Sequence, residues 1–242
     1  MAEKVLIFFC LISFIGFGNS NLVPYVTKCA AADNDCTLKS TQTVIPIFAK
    51  GIPELGVETL DPVTFKKPID ASTNSLKLII ENFTLKGLKD CVIQKAVRDV
   101  KNSKLIGKLL CNVVGDGTYE MKGSLLILPV EGKGNIHVVL RQLLISIDAD
   151  VNDKVGKDGK KYWDIKRFSH SFALNGKADV NFENLFTGSE VLGRAATQVF
   201  ESSGNEIVLE VGPPVIQVIV KKVVENIRKF FNHVPADELA LD

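Results

Sequence analysis

Residues 213–234 carry apolar side chains at helical spacing. Ile216, Ile219, Val220, Val223, Ile227, Phe230, Phe231 and Val234 recur at steps of three and four, while Gln217, Lys221, Glu225, Arg228 and Asn232 hold the other side. This is the pattern of an amphipathic helix with a wide apolar stripe. Pro213 and Pro214 suit its first turn, where a missing N–H costs little. At 1.5 Å per residue the helix spans roughly 30 Å. Its β-branched residues are mediocre helix formers, so packing against something long and apolar must hold it.

The middle of the chain alternates instead. Leu76, Leu78 and Ile80 share one parity, and Phe83 and Leu85 resume on the other. Residues 124–130 read as a short apolar strand. Ile136, Val138 and Leu140 point one way, then Leu143, Ile145, Ile147, Ala149 and Val151 keep the opposite parity. The switch near Arg141-Gln142 predicts a bulge or sharp bend, as a strongly curved sheet requires. Gly156-Lys157-Asp158-Gly159 predicts a hairpin turn. Phe168, His170, Phe172, Leu174, Gly176, Ala178, Val180 and Phe182 then alternate without interruption. Long strands joined by short turns make an antiparallel meander with one apolar face. Two further helices are predicted: one over 38–50, capped by Asp35 or Thr37, with a kink at Pro46 or a later start near Ile45; and one over 189–201, with Val191, Leu192, Ala195, Val199 and Phe200 inward. A stretch over 206–211 leads into Pro213.

The amino terminus changes the setting. Lys4 precedes an apolar run from Val5 to Phe17, and Gly18-Asn19-Ser20 supplies small residues for cleavage. This is the layout of a secretory signal over residues 1–20, and the run is shorter than the ~20 residues of a spanning helix. The expected mature chain, 21–242, reads as one domain, secreted, extracellular and not membrane-spanning. Of the five cysteines, Cys10 leaves with the signal. Cys29 and Cys36 lie close in a polar segment and are expected to pair in a secreted protein. Cys91 and Cys111 flank a predicted hairpin turning near Asn102-Ser103. A two-residue turn there puts Cys91 opposite Val114, roughly 10 Å from Cys111 along the strand and out of disulfide reach; a bulge or longer turn changes that, so pairing stays open. Asn82-Phe83-Thr84 is a glycosylation sequon.

Charge and chemistry narrow the function by what they lack. With 29 Lys and Arg against 28 Asp and Glu, interspersed, nucleic acid is not an expected partner. The histidines, His137, His170 and His233, stand at no metal-ligand spacing. There is no G-x-S-x-G elbow, P-loop or C-x-x-C. Asp148-x-Asp150-x-Asn152 begins like a calcium loop but lacks its glycine and bidentate glutamate. Gly115-Asp116-Gly117 and Gly132-Lys133-Gly134 read as turns. No cofactor and no enzymatic activity are expected. What remains is a surplus of apolar surface. Strand faces and helix stripe either fill each other as a core, leaving a protein that acts through its surface, or leave space for an elongated apolar ligand.

Several segments resemble the takeout and haemolymph juvenile-hormone-binding family of insects. They are Leu22-Val23-Pro24-Tyr25, the pair Cys29-x6-Cys36, Lys50-Gly51-Ile52-Pro53-Glu54-Leu55-Gly56-Val57, Asp61-Pro62, and Leu85-Lys86-Gly87-Leu88-Lys89. Further on come Gly123-Ser124-Leu125-Leu126-Ile127-Leu128-Pro129-Val130, Asn184-Leu185-Phe186-Thr187-Gly188, and Lys229-Phe230-Phe231-Asn232-His233-Val234-Pro235. The resemblance implies an α+β fold: a long, strongly curved antiparallel β-sheet wrapped around a long C-terminal α-helix, enclosing an apolar tunnel. It implies the disulfide Cys29–Cys36 and a secreted carrier of a long-chain lipid or terpenoid. Juvenile-hormone carriers proper have a second disulfide reaching the last helix. No cysteine follows Cys111 here, so the chain resembles the takeout-like branch. The expected lining is Phe48 and Ile52 from the first helix. Ile136, Val138, Ile145, Ile147, Phe168 and Phe172 are expected from strands, and Phe200, Ile219, Val223, Ile227 and Phe230 from the later helices.

Overall fold

The computed structural model describes residues 22–185 and 198–242. The segment 1–20, expected to act as a secretory signal, therefore lies outside the described residues, as does most of the helix predicted over 189–201; residues 198–202 are helical.

Among the described residues, eight antiparallel strands form one sheet. They are β1 (Val63–Phe65), β2 (Ile69–Asp70), β3 (Leu76–Lys86), β4 (Val92–Asp99), β5 (Lys104–Leu125), β6 (Leu128–Val155), β7 (Lys161–Leu174) and β8 (Ala178–Phe182). The spine runs β1-β3-β5-β6-β7; β2 also pairs with β3, β4 with β5, and β8 with β6. A straight β6 of 28 residues would reach about 90 Å, against a radius of gyration of about 17 Å for a chain of this size. It must bend. The bend falls where the parity switch predicts it: the β5–β6 register shifts between Cys111 and Val113, and Gln142 turns to φ 50°. The earlier parity change, between Ile80 and Phe83, is likewise a bulge in β3 with Asn82 at φ 50°.

The outer face of the sheet is sewn by polar and charged pairs in register. Glu120 faces Lys133, Lys122 faces Glu131, and Asp116 faces His137; all three pairs touch, at 3.4, 2.9 and 2.6 Å. Such exposed pairs add little stability, but a slip of one residue would turn every inner apolar side chain outward. Asp148 and Asp150, the pair that starts like a calcium loop, both bind Lys104 Nζ on this face, at 2.6 and 3.4 Å.

Two helices close the inner face. α1 runs Asn34–Lys50, starting four residues before the predicted position. Its cap is Asp33, whose carboxylate accepts from the Cys36 N–H at 2.9 Å, and the Cys29–Cys36 disulfide anchors that first turn. It continues through Pro46. α2 runs Gly204–His233, so Pro213 and Pro214 stand inside it rather than at its start. The helical stretch expected over 206–211 is its first part.

Three other expectations are corrected. Residues 124–130 do not form a strand but the β5–β6 hairpin: Leu125 pairs with Leu128, Leu126 takes φ 54° and Ile127 is 92 % exposed at the tip. The two glycine clusters are strand interior, not turns; Gly115 pairs with Val138 and Gly132 with Met121. At Gly115 a Cβ would come within 2.4 Å of the Phe83 ring, so the missing side chain makes room for that aromatic. The long alternation from Phe168 to Phe182 is two strands. It breaks after Leu174, and Ala178–Phe182 pairs with an earlier part of β6.

The Cys91–Cys111 question resolves as a disulfide with Cα atoms 4.4 Å apart. Asp99 pairs with Lys104 across a four-residue connection, and a bulge between Ile93 and Lys95 shifts Val92 onto Leu110. The longer turn moves the register by two residues and the bulge by one, which brings the cysteines opposite each other.

Candidate functional site

Between the sheet and the two helices lies a cavity of about 480 Å³, within the range of small-molecule sites. α2 contributes one wall from Ile207 to Phe231, about 36 Å of helix at 1.5 Å per residue. Opposite it stand inward residues of β3, β5 and β6, among them Leu78, Ile80, Phe83, Leu109 and Val113. α1 supplies Val44, Ile45 and Phe48, and Phe48 meets Phe230 edge-on at 5.9 Å.

The inner face does not behave throughout as a filled core. Val138, Ile145, Ile147, Ile219, Val223 and Ile227 point inward and line this space, yet each is half-buried, not buried. These side chains keep part of their surface open beside the cavity.

Nine of the thirteen residues expected to line an internal site meet here: Phe48, Ile136, Val138, Ile145, Ile147, Ile219, Val223, Ile227 and Phe230. The other four stand elsewhere. Ile52 follows the end of α1, where its backbone exchanges two hydrogen bonds with Val57 and buries the side chain in the core. Phe200 is buried before the start of α2 but outside the cavity wall. Phe168 and Phe172 share a face with Ala149 and Ile145, their partners on β6, but sit on the edge strand. Arg228 seals α2 onto that strand: its Nε donates to the Ile165 carbonyl at 3.1 Å and its guanidinium lies 5.9 Å from the Phe168 ring centre. His170, between the two phenylalanines, is half-buried and also off the cavity wall.

Sequence reasoning missed the end of the cavity nearest the start of α1. Thr27, Thr37, Ser40, Thr41, Arg98 and Trp163 line it there. A cap placed at Asp33 would have exposed the stripe 37, 41, 44, 48 on α1. Arg98 gives no such signal, because its side of β4 depends on the bulge.

Two buried groups brace the surroundings. Asn226, fully buried on α2, accepts from the Glu58 N–H at 2.8 Å and donates to the Lys222 carbonyl at 3.0 Å. The Tyr119 hydroxyl donates to the Glu183 carbonyl at 2.7 Å; burial, with the Glu183 charge, pushes its pKa up to about 12. Among the described residues no helix is long and apolar enough to cross a membrane.

The sequence profile of the family described as "Haemolymph juvenile hormone binding protein (JHBP)" matches residues 5–241. The chain is 23 % identical over 223 residues to "Circadian clock-controlled protein daywake" of Drosophila yakuba, covering 87 % of this chain and 85 % of that one. It is 21 % identical over 205 residues to a "Putative beta-carotene-binding protein" of Schistocerca gregaria, covering 83 % and 80 %. The crystal structure of Epiphyas postvittana Takeout 1 superposes with a TM-score of 0.85 at 26 % identity, covering 89 % of this chain and 99 % of that one.

Proposed function

Since the chain belongs to the haemolymph juvenile hormone binding protein family, we propose that it is a carrier and not an enzyme. It holds one small, elongated hydrophobic ligand (an isoprenoid, a fatty acid or a juvenile-hormone-like terpenoid) in the cavity along α2. The observation that carries this reading is the set of half-buried apolar side chains that face the cavity from both walls. A relative named for binding beta-carotene supports an apolar ligand. The segment 1–20 acts as a secretory signal, the domain spans 21–242, and Asn82, exposed on the β3 bulge, carries a glycan.

Binding then rests on removing ligand surface from water, at about 0.8 kcal/mol per buried methylene, or close to fourfold in affinity. The test is a displacement titration with fatty acids of increasing chain length. Affinity is expected to climb by about that factor per methylene until the cavity is full. A flat series, or no binding at any length, would overturn the carrier and leave a protein acting through its surface.

A further inference from the structure

The cavity is apolar along most of its wall and changes character at the end near α1. Thr27, Thr37, Ser40, Thr41 and Arg98 face it there. The Thr37, Ser40 and Thr41 hydroxyls donate to the carbonyls of Asp33, Thr27 and Thr37, at 2.9, 2.9 and 2.7 Å. Those three protons are engaged, and among the described residues Arg98 is the one charged side chain on the cavity wall.

The Arg98 side chain is 13 % exposed. Among the described residues its guanidinium makes one hydrogen bond, to Asp242 Oδ1, and it lies 5.3 Å from the Trp163 ring centre. A guanidinium offers five N–H donors in a planar fork, so it has donors beyond the one that Asp242 takes. A charge this far from water is costly unless paired. The pairing carboxylate is loosely kept: Asp242 is 47 % exposed, and its segment hangs on a bridge from Ala240 to Cys29. The Leu241 N–H donates to the Cys29 carbonyl at 3.3 Å, and the Ala31 N–H to Asp242 Oδ1 at 3.2 Å. Arg98 and Trp163 also wall a second hollow of about 560 Å³, which Asp242 lines.

We propose that Arg98 is the head-group site of the cavity and selects a long-chain carboxylic acid, whose carboxylate takes the place of Asp242 on the guanidinium while its chain lies along α2. The inference deepens the carrier reading and rests on it. A carboxylate matches the guanidinium fork with two parallel hydrogen bonds, and its single charge replaces that of Asp242 without leaving a surplus. An ester or alcohol of equal length fills the same apolar space but leaves Arg98 with Asp242.

The test compares cis-parinaric acid with its methyl ester on the full chain. The wild-type protein is expected to prefer the acid by tenfold or more, and Arg98→Met to reduce that preference below threefold. Equal affinity for the two probes, or an unchanged preference in Arg98→Met, would overturn the head-group assignment and leave the carrier standing. Binding of neither probe would overturn both. If Arg98→Met does not fold, Asp242→Asn decides: freed of its competitor, Arg98 should raise the preference for the acid by threefold or more, and an unchanged preference counts against the proposal.

Discussion

At its first residue α2 meets backbone; at its far end it meets side chains. Gly204 lies so close to β8 that a Cβ would come within 1.9 Å of the Ala178 carbonyl oxygen. Asn205 then takes the Ala178 N–H at 2.7 Å and gives its amide to the Gly176 carbonyl at 3.3 Å. Ile207, on the next turn, has no exposure at all. At the other end Phe231 packs edge-on against Trp163 at 5.3 Å, Arg98 lies over that ring, and the segment 236–242 folds back across the strand ends. A backbone contact without slack has one geometry. An arginine on an exposed aspartate has alternatives, and that is the end where the proposed head-group site lies.

Removing the Cys91–Cys111 disulfide, which lines the cavity, should have the largest effect. Closing a loop of 20 residues is worth about 3 kcal/mol in the chain-entropy model, or a loss of roughly 6–12 °C in Tm for a chain of this size. Thermal unfolding of Cys91→Ala/Cys111→Ala checks it. Gly204→Ala attacks the packed end. It forces a methyl group onto the Ala178 carbonyl and should cost about 2 kcal/mol, read as a lower urea midpoint with unchanged slope. An undiminished midpoint would remove the distinction between the ends.

Val223→Trp sharpens the comparison from the middle of α2. Its side chain faces space, so the larger ring should fill cavity without crowding the core. Affinity for cis-parinaric acid is expected to fall tenfold or more, about 1.4 kcal/mol, while Tm holds or rises. A marked loss of Tm with affinity intact would identify packed core at that position.

The smallest effect concerns Glu58, which tethers the C-terminal half of α2 through Lys222 and Lys229. Hydrogen bonds from Lys222 and then Lys229 lower its pKa to about 2. Because the folded value lies below the unfolded one, near ~4.3, this stabilisation is present above the unfolded value and is lost as pH falls towards 2. The side chain is 52 % exposed, so solvent screening limits the contribution to a few tenths of a kcal/mol, at most about 1. The Tm difference between wild type and Glu58→Gln should be small at pH 7 and vanish near pH 2.

The elements governed by periodicity were legible. The apolar stripe of α2 and the parity switch at Arg141-Gln142 follow from side-chain spacing alone, and the turn at 156–159 from its glycines and Asp158. What tertiary contact decides was not. α2 starts nine residues before Pro213, where Gly204 docks on β8; Ser203-x-x-Glu206 has the spacing of a capping box, but the Ser203 side chain makes no capping hydrogen bond. The Leu126-Ile127 turn carries no turn residue; the Glu210 carboxylate holds it by accepting from the Leu126 N–H at 3.0 Å. The cavity was partly legible for the same reason. Nine inward residues follow from alternation and helical spacing, but alternation cannot tell that Phe168 and Phe172 sit on an edge. It also cannot show that a bulge turns Arg98 towards the only polar stretch of the wall among the described residues.

The central claim is that the cavity along α2 holds an elongated apolar molecule. Native mass spectrometry of the protein, followed by organic extraction, tests it most directly. The account predicts one bound lipid or terpenoid per chain, released on extraction and displaced by added long-chain acid. A protein that is empty as isolated, and that takes up neither fatty acids nor isoprenoids when they are offered, would contradict it.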